Sequence, residues 1–211
     1  MKRQELEHVT RAAGSVVGVD RILVIGSQSI LGSYSEGDLP RETTLSNEAD
    51  IAFFDDPDGS KATLLDGSIG EQSPFEQTFG YYAQGVSITS AVLPEGWRDR
   101  LVPLTNANTG GITAWCLEPH DLCIAKLAAG RSNDVAYCEA LIRDGLVDVE
   151  TLRERLAATD IPDYGRSVGD GLIRRADPSQ LDPTQGGSGG RSWVPGHVKA
   201  DGTRVKGYRR A

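Results

Sequence analysis

Ile22-Leu23-Val24-Ile25-Gly26-Ser27 and, about twenty residues later, Glu48-Ala49-Asp50-Ile51-Ala52-Phe53-Phe54 are the stretches on which the architecture turns. The first is an unbroken run of β-branched and leucine residues ended by a glycine, the pattern of a short strand covered on both faces. The second alternates, so Glu48 and Asp50 project from one face of a strand while Ala49, Ile51 and Phe53 point to the other. Asp55-Asp56-Pro57-Asp58-Gly59 stops it.

Working outward, residues 4 to 18 predict an amphipathic helix with Leu6, Val9 and Ala13 on one face, closed by Gly18. A second helix is expected to start near Ser27, and the aperiodic segment from Gly32 to Asn47 reads as a loop. Residues 61–69 form a short helix on this reading, and 81–89, 101–104 and 112–117 form strands. From Glu118 the pattern turns helical: Pro119 fits a first turn, where its missing N–H costs nothing. Residues 132–144 and 149–158 continue as helices, with Asp148 and Glu150 near the positive end of the second. Beyond Ile161 the periodic signal decays. The expected class is therefore α/β (α+β), with an α/β core over 1–117, a helical subdomain over 118–176, and a Gly-rich linker and basic tail over 177–211, read as disordered. Within that tail, Asp201-Gly202 between two valine-containing arms, Val198 to Val205, points to a small hairpin.

The 211 residues are 38% hydrophobic and 25% charged, which fits one globular domain, or one domain plus an appendage. The net charge of −8 argues against a surface built to coat a phosphate backbone. That average conceals an asymmetry. From Gly186 to Ala211 there are six Lys/Arg against one acid, or +5, which leaves −13 on the rest. Cys116, Cys123 and Cys138 lack metal-type pairing and read as small core residues in a reducing compartment. A charged N-terminal stretch without an apolar signal core, and no apolar run near the roughly 20 residues of a membrane span, make the expected location cytoplasmic and exclude a membrane partner.

The P-loop lysine motif, the dinucleotide glycine fingerprint and paired-cysteine zinc patterns do not occur. Gly186-Gly187-Ser188-Gly189-Gly190 fits the nucleophile-elbow expression formally, but it follows no strand and precedes no helix, so it reads as linker. The informative constellation is the strand ending in Gly26-Ser27 with Glu48 and Asp50 on one face of the next. Two carboxylates so placed can share divalent cations, and Mg²⁺ favours a few carboxylate oxygens together with substrate phosphates. Gly26 admits close backbone approach to phosphates, and Ser27 offers a hydroxyl and an N–H at a helix start. The other reading is a solvent-facing acidic edge. Lys126 lies within Leu122-Cys123-Ile124-Ala125-Lys126-Leu127-Ala128-Ala129, apolar nearly all round, where an ammonium needs a carboxylate or phosphate unless it snorkels to water. Arg131 and Asp134 follow and either complete a polar cluster or cap a helix junction. His120 and Asp121, at the helix start, read as capping residues.

Together these blocks resemble the nucleotidyltransferase superfamily, whose pattern is Gly-Ser after a strand and acid-x-acid on the next. Gly26 to Gly32, Ser46 to Ile51 and His120 to Asp134 look like the bacterial AbiEii-like, abortive-infection type of nucleotidyltransferase, over about Glu5 to Leu156. The resemblance implies a mixed sheet flanked by helices, a helical C-terminal subdomain, and Mg²⁺-dependent transfer from a nucleoside triphosphate. Members are often toxins neutralised by a cognate antitoxin, and some use the tRNA 3′ end as acceptor. Carried over by position, Gly26 and Ser27 would hold the triphosphate, Glu48 and Asp50 the metal, and Lys126 and Arg131 would contact phosphates, with Asp134 orienting one of them. Two departures stand out. The first acid is Glu rather than Asp, and the third carboxylate of the pattern has no counterpart in Tyr81-Tyr82-Ala83-Gln84-Gly85-Val86-Ser87, which leaves a catalytically degenerate nucleotide- or partner-binding protein as the alternative. If RNA is the acceptor, the acidic body leaves the attraction to the tail and local cations. Truncation after Gln185 is therefore expected to weaken RNA binding, read by fluorescence anisotropy, and unchanged affinity would remove the tail from that role.

Overall fold

The computed structural model describes residues 1–176 and the backbone of four two-residue strands between Trp193 and Arg209. The chain opens with α1 (Arg3–Val17), whose Leu6, Val9 and Ala13 are fully buried. Gly18 ends it in the left-handed conformation, φ 74°, where its N–H reaches the Gly14 carbonyl. Five strands follow: β1 (Arg21–Val24), β2 (Glu48–Ala52), β3 (Tyr82–Gly85), β4 (Val102–Leu104) and β5 (Thr113–Cys116). They form one mixed sheet in the order β3-β2-β1-β5-β4. β1 runs antiparallel to β2 and parallel to β5; β2 and β3 are parallel, and β4 and β5 antiparallel. β1 is central, which explains why Ile22, Leu23 and Val24 are all buried and why its sequence does not alternate. β2 does alternate: Ala49 and Ile51 are buried while Glu48 and Asp50 are only partly so.

The antiparallel β1–β2 pair and the parallel β2–β3 pair gather three chain ends at one edge of the sheet: the end of β1, the acid-bearing start of β2 and the start of β3. α2 (Ser60–Ile69) packs on β3 and α1, and α3 (Pro74–Phe79) is capped by Ser73, whose Oγ accepts the Glu76 N–H at 3.2 Å. The helices α4 (Pro119–Ala129), α5 (Ser132–Arg143), α6 (Val149–Ala158) and α7 (Asp163–Ala176) pack on one another, with α4 also against the turn after β1. Cys116, Cys123 and Cys138 are free and buried, as small core residues should be.

Several expectations are corrected. The segment after Ser27 is a 3-10 turn, Ser27–Gly32, rather than an α-helix. β3 ends at Gly85 instead of running to Thr89, because the Ser87 hydroxyl accepts the Thr89 N–H and starts a 3-10 turn. α3 has too few residues for a periodic signal. α7 was hidden by its glycines, which lower helix propensity, and close packing requires them: a Cβ on Gly165 would lie 2.1 Å from the Leu127 carbonyl oxygen, and one on Gly169 2.7 Å from a Leu156 methyl. Near the C-terminus, β6 (Trp193–Val194) pairs with β9 (Tyr208–Arg209), and β7 (His197–Val198) with β8 (Arg204–Val205), antiparallel in both cases. The pairing of His197 with Val205 and of Val198 with Arg204 matches the expected hairpin arms. The linker reading of 177–192 and the Asp201-Gly202 turn lie outside the described residues.

The start of α4 is organised differently from the sequence reading. Glu118, not His120 or Asp121, is the N-cap, and its side chain accepts from the His120 and Asp121 amides. Asp121, fully buried, takes both oxygens to Arg100 at 2.9 and 3.0 Å and one to Arg155 at 2.8 Å. His120 joins Glu118 through Nδ1 at 2.5 Å and accepts the Asp148 N–H on Nε2 at 2.7 Å, which leaves the proton on Nδ1 and ties α4 to the start of α6. Burial pushes the Glu118 carboxyl up, but His120 and Arg155 outweigh it and hold it at about 2. A depressed carboxyl stabilises the fold above its ordinary 4.5 and loses that contribution as pH falls through about 2. Glu118→Gln should therefore cost about 2–3 kcal/mol at neutral pH. In urea unfolding, the gap to wild type should narrow as the pH drops from 4.5 toward 2.

Candidate functional site

Gly26, the last residue before the 3-10 turn, sits against Asp50. A Cβ there would lie 1.5 Å from Asp50 Oδ2, so the glycine is required by the carboxylate on the neighbouring strand. The Ile25 N–H donates to the Asp50 carbonyl at 3.2 Å and continues the β1–β2 ladder to this point. Gln28, fully buried in the turn, donates to the Ser46 carbonyl at 3.0 Å, and the Ser46 hydroxyl accepts the Glu48 N–H at 3.1 Å. These bonds fix the approach to β2 and hence where its two acids stand.

Burial and the neighbouring Glu48 charge push the Asp50 carboxyl up to about 6, while Lys126 and Arg131 oppose that rise. The four groups therefore share one electrostatic neighbourhood. Glu48 Oε2 accepts a hydrogen bond from the Tyr82 hydroxyl at 3.1 Å. Burial and the same carboxylate raise the Tyr82 hydroxyl to about 12, so it stays a donor. In the β2–β3 register Glu48 faces Tyr82 and Asp50 faces Gln84. Asp50 is thus paired across the strands with an amide, and no group of three His, Cys, Asp or Glu residues able to hold a metal occurs among the described residues.

Lys126 is buried and does not snorkel. Its Nζ donates to Ser27 Oγ at 2.9 Å and to Asp134 Oδ1 at 2.8 Å, and lies 4.3 Å from the centre of the Tyr137 ring. The Tyr137 hydroxyl in turn donates to the Ser27 carbonyl at 2.7 Å. One turn of α5 separates Asp134 from Tyr137, so both reach the same ammonium. Arg131 is the exposed N-cap position of α5 and acts on Asp50 through its charge. An open cleft of about 410 Å³ runs past this cluster, lined by Ser27, Ser46, Lys126, Asp134 and Tyr137 among others; Glu48, Asp50 and Arg131 lie outside its lining.

All seven sequence-derived residues thus lie around the end of β1. The sequence reading missed Tyr82, Tyr137 and Gln28. Spacing on one helix face could have flagged Tyr137; Tyr82 depends on a strand register that no local pattern encodes. No helix among the described residues is long and apolar enough to cross a membrane.

An acid whose folded pKa lies above its ordinary 3.8 contributes fully to stability below that value and loses the contribution as pH rises through about 6. Asp50→Asn, free of the buried charge, is therefore expected to stabilise the protein at pH 8 by about 2 kcal/mol. That advantage should vanish near pH 4, and melting curves across the range measure it.

A family model described as "Nucleotidyltransferase of unknown function (DUF6036)" matches residues 4–166. Comparison with curated proteins and with solved structures returns no match.

Proposed function

The chain belongs to this family of nucleotidyltransferases of unknown function, and on that premise we propose that it binds a nucleoside triphosphate with Mg²⁺ and transfers the nucleotide to a hydroxyl acceptor. The observation that carries the reading is the pairing of Glu48 with Asp50, where burial and the Glu48 charge together raise Asp50, beside a lysine anchored on Ser27. Two partly buried carboxylates on one strand face, with Glu48 disfavouring the charge on Asp50, make a site that a divalent cation relieves, so the donor set fits. Glu48 and Asp50 would hold the metal. Bound there, Mg²⁺ supplies charge neutralisation at the phosphates and polarises the reacting oxygens.

The rest falls to the chain's own residues. Ser27, with its hydroxyl already turned to Lys126, and the backbone at Gly26 receive the phosphates; Lys126 and Arg131 offset their charge, and Asp134 orients Lys126. The acceptor oxygen forms its ester bond to the α-phosphorus as the bond to the β-phosphate breaks and pyrophosphate departs. Gln84, which pairs with Asp50, is not a base, so on this reading the acceptor proton passes to solvent. Transfer on this reading is slower than in a three-acid site.

The likeness of the three sequence blocks to abortive-infection enzymes supports the tRNA 3′ end as a candidate acceptor and, for a toxin, a cognate antitoxin as its partner. The pairing of Asp50 with Gln84 rather than with an acid also favours a second reading, a protein that binds nucleotide without turnover. Incubation with labelled nucleoside triphosphates, Mg²⁺ and total tRNA separates the two. Labelled RNA that Asp50→Ala lowers by at least a hundredfold supports transfer; tight binding by calorimetry with no product on any acceptor supports the second reading. Activity indifferent to Asp50→Ala would overturn both assignments of the acids.

A further inference from the structure

Lys126 satisfies only half of Asp134. Oδ1 takes the ammonium at 2.8 Å, whereas Oδ2 is buried and has no hydrogen-bond partner. A buried carboxylate oxygen without a donor is costly, and such an orphan marks a place where a donor arrives. Its position narrows what that donor is. Asp134 lines the cleft, and its other oxygen is joined to Ser27 Oγ through a single ammonium, by contacts of 2.8 and 2.9 Å. Asp134 Oδ1 therefore lies within two hydrogen-bond lengths of the proposed phosphate-binding hydroxyl, and a group that reaches Oδ2 stands one carboxylate width and one further hydrogen bond beyond it.

Phosphates at Ser27 bring acceptors, not donors. The lysine already on the same carboxylate disfavours a second cation there. In a nucleoside triphosphate the nearest hydrogen-bond donors to the phosphate chain are the sugar hydroxyls, and the base lies beyond them. The cleft, at about 410 Å³, has room for a nucleoside, and Leu45, Ala136 and the Tyr137 ring give it apolar walls around the polar anchor.

We infer that this cleft holds the nucleoside half of the triphosphate and that Asp134 Oδ2 accepts a hydrogen bond from a ribose hydroxyl, which makes the site selective for ribonucleotides. The inference rests on the triphosphate reading above. A site built to bond a hydroxyl rejects the analogue that lacks it, because the buried oxygen is then left unpaired.

Calorimetry on the full chain, with Ca²⁺ in place of Mg²⁺ to hold back turnover, tests this. The best-bound of ATP, GTP, CTP and UTP is compared with its 2′-deoxy and 3′-deoxy forms. At least one deoxy form is expected to bind roughly tenfold to a hundredfold more weakly. Asp134→Asn keeps an amide oxygen for Lys126 and presents an amino group to the sugar, so it should bring the ratio close to one. Equal wild-type affinity for the ribonucleotide and both deoxy forms would overturn the inference and leave the triphosphate reading intact. Failure to bind any of the four triphosphates would overturn both. The wild-type comparison needs no variant, so the inference stands or falls even if Asp134→Asn does not fold.

Discussion

The ammonium of Lys126 is the contact that the rest of the site depends on. It is 9% exposed, on a helix otherwise apolar, and is satisfied from two sides by Ser27 and Asp134 with the Tyr137 ring against it. A buried lysine without such partners would lose its proton or unfold the helix around it. By meeting that demand, the protein ties the turn after β1 to α4 and α5 in one cluster. The sheet edge and the helical layer thereby acquire a fixed relation at the point where a substrate would lie between them.

The second constraint is the crowding of Asp50 against Gly26. Strand pairing brings the backbone of β1 so close to the carboxylate that no side chain fits at residue 26. The close approach holds Asp50 partly out of water beside Glu48, and the resulting rise in its pKa is the electrostatic signature of the site. Tyr82 and Gln28 act around it, one donating to Glu48 and the other fixing the segment that leads into β2. Asp134 adds a different asymmetry, with one oxygen committed to Lys126 and the other buried without a hydrogen-bond partner.

Local chemistry was readable where a residue's own neighbours dictate its state. The alternation in Glu48-Ala49-Asp50-Ile51 is a strand pattern whatever surrounds it, and a lone lysine in an apolar helix demands a partner in any fold. Gly26 was expected to leave room for phosphates, whereas the group that fills the space of its missing Cβ is Asp50, a residue that the sequence places well down the chain. The glycines of α7 misled for a related reason. Local propensity counts them against a helix, while the carbonyl of Leu127 and the methyls of Leu156 need the space they leave. The role assigned to His120 and Asp121 failed because Glu118, one residue before Pro119, reaches the free amides first.

From its sequence alone the chain determined its α/β class, the strand-turn that carries Gly26 and Ser27, the acid pair of Glu48 and Asp50, and the need of Lys126 for an anion. These follow from periodicity and from the solvation of single groups, both of which act over a few residues. Tertiary structure decided which strand lies beside which, that Gln84 and not an acid flanks Asp50, that Asp134 is the anion beside Lys126, and that one of its oxygens remains unpaired. Those outcomes depend on register and on contacts across the chain, such as the bond between Lys126 and Ser27, which is set by how the layers close on each other rather than by any local preference.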